Sequence, residues 1–366
     1  MTPEADQRFI RLALALGARG LGQCWPNPAV GAVIVQAGRI VGRGVTQAGG
    51  RPHAEAVALA EAGAQARGAT AYVSLEPCAH QGVTPPCVEA LIAAGIRRVV
   101  SALQDPDPRV AGRGHARLRA AGIEVVTGVL AAEAEAAHRG YLSRVRLGRP
   151  MLTLKLASSF DGRIATASGE SRWITGAPAR ARVHLLRAGH DAVLIGAGTA
   201  RADDPLLTVR DLGIARQPVR VVAARHLDLP PDGALARTAR QVPLWLLHAA
   251  SGTHAATVRD WSDRGARLIP VAVQGQQLDP HAMLQALGAA GLTRVLCEGG
   301  GALAASLLGA GLVDELVGFT AGVMLGAEGQ PSLGAMGISR LAEAPRFRLT
   351  GVERLGCDVL HHWERG

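Results

Sequence analysis

P-H-A-E (52–55) and E-P-C-A-H-Q-G-V-T-P-P-C (76–87) are the segments on which the fold of this chain turns. His53 is followed two residues on by the carboxylate of Glu55. A helical run and an apolar strand come next, and then two cysteines, Cys78 and Cys87. One imidazole and two thiols are the number of protein ligands that a catalytic zinc takes, leaving a fourth position for water. The spacing predicts His53 at a helix N-terminus, and Cys87, after Pro85-Pro86, as the start of another helix. Helix N-termini lower thiol pKa and favour the thiolate that binds metal. Glu55 is placed to move protons between a zinc-activated water and a substrate nitrogen.

A structural zinc site is the competing interpretation. It takes four protein ligands, and His80, between the cysteines, is the candidate for the fourth. Against it stands the order H-x-E then P-C, which is that of zinc deaminases. Cys24, Cys297 and Cys357 have no partner at ligand spacing and are expected to be packing residues.

Upstream of this stretch, Thr2-Pro3-Glu4 starts an amphipathic helix that Gly20 ends. Strands are predicted at 30–35 and 40–45 around a turn at Gly38. Downstream, helices (53–66, 86–94, 114–121, 131–146) alternate with strands (71–75, 98–103, 123–126). This pattern predicts a mixed or parallel sheet between helices. Gly148-Arg149-Pro150 interrupts it and is the expected domain boundary, giving 1–148 and 149–366.

The second half restarts with a strand at 151–157, a helix at 178–188 and a strand at 192–195. A loop is expected at 196–205. Further strands are predicted at 219–223, 243–247, 268–273 and 294–297, a helix after 301, and a closing hairpin at 347–362. Two glycine clusters, Gly196-Ala197-Gly198 and Gly299-Gly300-Gly301, follow strands. Glycine lets a phosphate approach backbone N–H groups, and a helix N-terminus favours its charge. A single such cluster is ordinarily a turn; two at sheet ends indicate a nucleotide site. Lys155, the only lysine, lies in an apolar strand, where unpaired lysines are rare.

Composition narrows the classes. At 366 residues the chain can hold two cores, and nothing in it is low-complexity. A net charge of +9 and a pI near 10.4 permit nucleic acid as a partner. The arginines are scattered, however, and a phosphorylated small molecule needs only a few of them. Five cysteines at irregular spacing make no disulfide framework, no apolar run approaches a membrane span, and a reducing cytoplasm is expected.

The motifs together resemble a known family, the bifunctional deaminase/reductases of riboflavin biosynthesis. The long Cys78–Cys87 loop ending T-P-P-C, P-N-P-A-V-G (26–31) and Q-D-P-D-P-R-V-A-G-R-G (104–114) match its deaminase half. K-L-A-S-S-F-D-G-R-I-A (155–165), S-G-E-S-R-W-I-T-G (168–176), G-T-A-R-A-D-D-P-L-L-T-V-R (198–210) and E-G-G (298–300) are similar to its reductase half. The resemblance implies an α/β chain: a cytidine-deaminase-like three-layer domain followed by a dihydrofolate-reductase-like domain. It implies zinc and NADPH as cofactors, a phosphorylated pyrimidine as substrate, and association through the reductase domain.

Carried over by position, His53, Cys78 and Cys87 would hold zinc, Glu55 would be catalytic, and Asn27 would bind the pyrimidine. Ala157, Trp173, Thr199, Asp203 and Gly299, Gly300, Gly301 would line the cofactor. Ser171, Arg187, Leu207, Arg210 and Glu298 would meet the ribose phosphate, with Lys155 binding a substrate oxygen or assisting proton transfer. Without the resemblance, Asn27 reads as a turn residue, Asp203-Asp204 as a cap, Trp173 as core and each arginine as surface. Thr46 and Val83 stand where many members have His and Arg, and Asp107 replaces a common Asn. Three alternatives therefore remain: a paralogue with one inactive domain, a nucleic-acid deaminase, and a non-catalytic NADPH-binding sensor with structural zinc.

Overall fold

The computed structural model describes residues 2–82 and 85–366. Val83 lies outside them. The chain divides into two compact units, Met1–Gly148 and Arg149–Gly366.

The first unit runs α1 (Pro3–Ala18), β1 (Gly31–Gln36), β2 (Arg39–Val45), α2 (Ala54–Ala62), β3 (Thr70–Val73), α3 (Cys87–Ala93), β4 (Arg98–Ser101), α4 (Arg113–Ala120), β5 (Glu124–Thr127) and α5 (Ala131–Leu147). Thr2 caps α1 through a hydrogen bond donated by Ala5 N, as the Thr-Pro-Glu start predicts. The sheet order is β2-β1-β3-β4-β5; β1 is antiparallel to both neighbours and β3, β4 and β5 are parallel. Cores lie on both faces of this mixed sheet.

Two glycines bring α2 down onto β2. A Cβ at Gly44 would lie 2.0 Å from Ala54 O, and one at Gly42 would lie 2.1 Å from Ala58 O. The expected 53–66 helix breaks at Gly63 (φ 53°) and continues as a 3-10 turn. A buried ion pair ties α1 to the sheet. Arg98 donates to both Asp6 oxygens (2.7 and 2.8 Å), and Tyr72 Oη donates to Asp6 at 2.9 Å.

The second unit runs β6 (Met151–Ser159), β7 (Arg163–Ala165), α6 (Ala177–Ala188), β8 (Ala192–Gly196), α7 (Ala197–Asp203), β9 (Val219–Ala223), α8 (Ala234–Arg237), β10 (Leu244–Ala249), α9 (Ala255–Asp263), β11 (Arg267–Val271), β12 (Val273–Gln274), β13 (Gln277–Leu278), α10 (Pro280–Ala289), β14 (Arg294–Gly299), α11 (Gly301–Gly309), β15 (Glu315–Ala321), β16 (Gln330–Pro331), β17 (Phe347–Leu355) and β18 (Asp358–Arg365). Nine strands form one sheet in the order β11-β10-β9-β8-β14-β6-β15-β18-β17. From β11 to β15 the neighbours are parallel; β18 and β17 add an antiparallel hairpin.

The short elements β7, α8, α9, β12, β13, α10 and β16 add to the expected pattern, and two further features differ from it. The 196–205 segment is helical over Ala197–Asp203, because its small residues tolerate helix and Pro205 comes only after the C-cap, Asp204. Strand β15, which separates β6 from the hairpin, is absent from the sequence-based assignment. Its apolar run is interrupted by Gly318, and that glycine is required: a Cβ there would lie 1.9 Å from the His361 ring.

Candidate active sites

In the first unit the carboxyl end of β3 leads into the 76–87 loop, and α2 aims its N-terminus at the same place. His53 is the N-cap of α2 and Cys87 the first residue of α3. His53 Nδ1 lies 3.6 Å from Cys78 Sγ and 3.3 Å from Cys87 Sγ, and Cys87 N donates to Cys78 Sγ at 3.4 Å. One ligand atom from each residue lies within 4.8 Å of the others. The buried Nε2 of His53 has no partner.

A hydrogen bond from Cys87 holds the Cys78 thiol down to about 4 against its burial; sharing that bond pushes Cys87 up. One nitrogen and two sulfurs in this arrangement fit a zinc ion with a position left for water. Burial, and after it the charge at Cys78, pushes the Glu55 carboxyl up to about 7, the range for a proton shuttle near neutral pH.

The support of this centre rests on Glu76, which motif reasoning passed over. Its buried carboxylate accepts from Asp105 N (3.2 Å), Gly112 N (2.9 Å), Gly114 N (2.9 Å) and His115 N (3.2 Å). A Cβ at Gly114 would lie 2.1 Å from Pro77 O. The 104–114 segment is therefore clamped against the turn that carries Cys78. The signal was present as an acid two residues before a ligand, together with the G-R-G of that segment. Tyr141 Oη donates to Asp105 (3.0 Å), whose carboxyl burial pushes up to about 6.

The remaining expected residues of this half fall as follows. Asn27 Nδ2 donates to Gly50 O at 2.7 Å, so its amide braces the loop before His53. Thr46 is buried, with Oγ1 accepting from Val30 N at 3.1 Å. Asp107 is paired with Arg109. His80 Nδ1 is buried without a partner, and His80 is not part of the three-residue cluster.

In the second unit two cavities open at the carboxyl ends of the parallel strands, of about 880 and about 770 Å³. Both are lined by Lys155, Ala157, Ser171, Asp203 and Glu298. The larger adds Thr199 and Gly299, Gly300 and Gly301; the smaller adds Trp173, Arg187, Leu207 and Arg210. Sheet order explains the convergence. β6 pairs with β14 so that Leu154 faces Cys297, which places Lys155 beside Glu298. Gly299 and Gly300 have φ of 129° and 86°, and a Cβ at Gly300 would lie 3.2 Å from Thr199 Oγ1. Side chains there would fill the cradle between β14 and α7. A glycine-lined groove at strand ends, opening onto a lysine, fits a dinucleotide.

Two expected residues are placed otherwise than the resemblance implies. Trp173 lines the cavity of Arg187 and Arg210 and not the glycine groove, and Arg180 stacks on its ring at 4.4 Å. Arg187 is engaged by Glu298 through Nε (2.5 Å) and Nη2 (2.9 Å), and its Nη1 donates to Thr208 O. Its fork therefore meets a carboxylate within the protein, whereas Arg210 has its side chain on the cavity. Burial raises the Glu298 carboxyl, but Arg187 and Lys155 outweigh it and hold the group below its ordinary range. Leu207 is buried at φ 56°, and Asp204 and Asp211 also have positive φ, so the 204–211 segment carries strain beside the cavity. His184, which the sequence did not single out, accepts from Arg210 N at 3.3 Å.

The comparisons agree with this geometry. Residues 3–103 match the model of the cytidine and deoxycytidylate deaminase zinc-binding region, and residues 150–361 match the RibD C-terminal domain. The chain belongs to the RibD family. It is 42% identical to the riboflavin biosynthesis protein RibD of Escherichia coli over 98% of both chains. It superposes on RibD of Acinetobacter baumannii with a TM-score of 0.88 at 37% identity, covering 100% of this chain and 99% of that one. A Thermotoga maritima diaminohydroxyphosphoribosylaminopyrimidine deaminase/5-amino-6-(5-phosphoribosylamino)uracil reductase gives a TM-score of 0.86 at 32% identity, again covering 100% and 99%.

The chain is therefore a bifunctional enzyme of riboflavin biosynthesis, with a zinc-dependent deaminase half and an NADPH-dependent reductase half. The matches give no support to a nucleic-acid deaminase or to a paralogue with one inactive half. Among the described residues, no helix is long and apolar enough to cross a membrane.

Proposed function

We propose that residues 1–148 deaminate 2,5-diamino-6-ribosylamino-4(3H)-pyrimidinone 5′-phosphate. In the same reading, residues 149–366 reduce the ribosyl group of the product to ribityl. The observation that carries it is the pairing of the His53–Cys78–Cys87 cluster in one unit with twin strand-end cavities meeting at Lys155 in the other.

His53 Nδ1 and the two sulfurs would hold zinc. When bound, the metal supplies a Lewis acid and lowers the pKa of water. Glu55 takes a proton from the water that attacks the amino-bearing carbon and returns it to the departing nitrogen, which leaves as ammonia. Its raised pKa suits both transfers. Asn27, its amide held by Gly50 O, hydrogen-bonds the pyrimidine.

In the reductase half, Ala157, Thr199, Asp203 and Gly299–Gly301 line the groove for NADPH, which supplies hydride when bound. Lys155 donates a proton to the oxygen of the opened sugar. Glu298, held by Arg187, fixes the lysine by charge, and Arg210 takes the phosphate, with Ser171 and Leu207 shaping the pocket. Trp173, stacked by Arg180, closes the substrate side. The enzyme works in the cytoplasm as a homo-oligomer joined through its reductase domains.

A coupled assay tests this proposal by following ammonia release and NADPH oxidation from the diaminopyrimidine phosphate. One ammonia and one NADPH per substrate are expected. Activity on single-stranded RNA alone, or zinc binding with neither product, would sink it.

A further inference from the structure

We propose that Arg225 binds the 2′-phosphate of the cofactor and sets the preference for NADPH over NADH. The assignment rests on the reductase function of the second unit.

The larger cavity has two chemically distinct ends. At one end Lys155, Ala157 and Glu298 are shared with the smaller cavity, so the nicotinamide must lie there to reach a substrate. The other end is formed by Ala223, the last residue of β9, and by Arg225, His226 and Asp228 just past it. Strand β9 is three places from β6 in the sheet, across β8 and β14. At the usual strand spacing that is about 14 Å. The glycine cradle on β14 and α11 lies between the two ends, where the pyrophosphate of an extended dinucleotide would sit. Gly196 pairs with Ala223, so Arg225 stands at the same sheet edge as the cradle, on the adenosine side.

NADPH and NADH differ only in a phosphate on the adenosine ribose, which is close to doubly charged at neutral pH. Recognition of that group needs a cation with free donors at this end. Three Lys or Arg side chains line the cavity: Lys155, Arg201 and Arg225. Lys155 is at the hydride end. Arg201 is already used, because its Nη1 donates to Asp228 Oδ2 (2.6 Å) and to Asp228 O (3.0 Å). Arg225 remains. Its backbone carbonyl is occupied by Ala249 N and Thr253 Oγ1, which fixes the residue at the strand end. Its buried Nε has no acceptor.

The same contacts argue against NADH. Sites that select NADH place a free carboxylate to accept from the ribose 2′-hydroxyl. The acid available here, Asp228, is neutralised by Arg201. A planar guanidinium with an unused donor suits a phosphate.

The test is direct cofactor titration of the full-length, zinc-loaded protein by calorimetry, with no turnover involved. NADPH and NADH are compared in the wild type, Arg225→Ala and Arg225→Lys, with adenosine 2′,5′-bisphosphate and 5′-AMP as fragment probes. Arg225→Ala should weaken NADPH and the bisphosphate by about 10- to 100-fold, the cost of losing charged hydrogen bonds, while NADH and 5′-AMP stay within about twofold. Arg225→Lys, which keeps the charge without the fork, should fall between. Equal weakening of NADPH and NADH, or unchanged NADPH binding in Arg225→Ala, overturns the assignment. A wild type that binds neither cofactor overturns the reductase function itself, and the assignment with it.

Discussion

The zinc centre of the first unit and the twin cavities of the second differ in how their residues are gathered. His53, Cys78 and Cys87 come from within one 35-residue span and meet because α2 and α3 both begin at the end of β3. The cavities around Lys155 draw on β6, α6, α7, β9 and β14, segments spread across the whole unit that only a sheet of parallel strands brings to one edge. A metal needs few ligands at short range, and a dinucleotide needs a long surface. The first kind of site can be carried by local motif, and the second requires a complete architecture.

That contrast can be broken most sharply by removing the metal. Dialysis against a chelator should abolish ammonia release while leaving NADPH oxidation on the deaminated substrate intact, and zinc should restore the lost activity. If both activities disappear together, the two sites are not separately built. Next in size, Glu55→Gln should lower the ammonia-release rate by about 10³-fold with zinc content unchanged, since general acid–base catalysis is worth roughly 10²–10⁴. Retained deamination would remove Glu55 from the proton path. In the other half, Lys155→Met should slow NADPH oxidation by about 10²-fold without changing deamination.

Smaller effects sharpen the comparison at the level of stability. Asp6→Asn breaks the buried pair with Arg98 and should cost about 2 kcal/mol in a denaturant titration of the first unit, the scale of hydrogen bonds to a charged group, because the Arg98 guanidinium keeps its bond to Glu124 at 2.7 Å. A loss below about 0.5 kcal/mol, the scale of a surface pair, would show that α1 is held by packing alone.

Least in size is a pH effect. His138 accepts or donates at Ser74, under the zinc loop, and burial depresses it to about 4; His190 is likewise depressed to about 3 in the second unit. Below their ordinary value near 6.5 the unfolded chain takes up protons that the folded chain refuses. Each neutral histidine therefore contributes stability above that pH, which is lost as pH falls, by up to about 1.4 kcal/mol per pH unit. Asp105 and Asp191, raised by burial, work in the opposite sense. The clean measurement is a difference. The stability cost of His138→Gln should shrink between pH 7 and pH 5 in the first unit, and at each pH the substitution should leave hydrogen exchange in the second unit as it is in the wild type. A cost independent of pH would show that His138 is not held neutral.

Much of the zinc centre could be read from the chain because its chemistry is encoded in residue type at short spacing. His53 and Cys87 had to start helices, and they do. Glu76 was missed for the opposite reason: its partners, from Asp105 to His115, are backbone N–H groups, which leave no mark of their own in sequence. In the second unit the glycine loops and Lys155 were visible as motifs. The bond between Arg187 and Glu298 was not, because 111 residues separate them and both were assigned singly to the substrate. Strand β15 was hidden by a glycine whose necessity lies in the ring of His361 on the adjacent strand.

The sequence by itself determined the two α/β halves, the break at Gly148, the donor set of His53, Cys78 and Cys87 that could hold a metal, and the residues from which a nucleotide groove could be made. These follow from local periodicity, turn chemistry and donor type. Tertiary structure decided which charges meet. It spent the fork of Arg187 on Glu298 and that of Arg201 on Asp228, and left Arg225 with a buried, unused donor at the groove's far end. The reason is physical: a charge is available to a ligand only when no neighbour in space has already satisfied it, and neighbours in space are set by strand order.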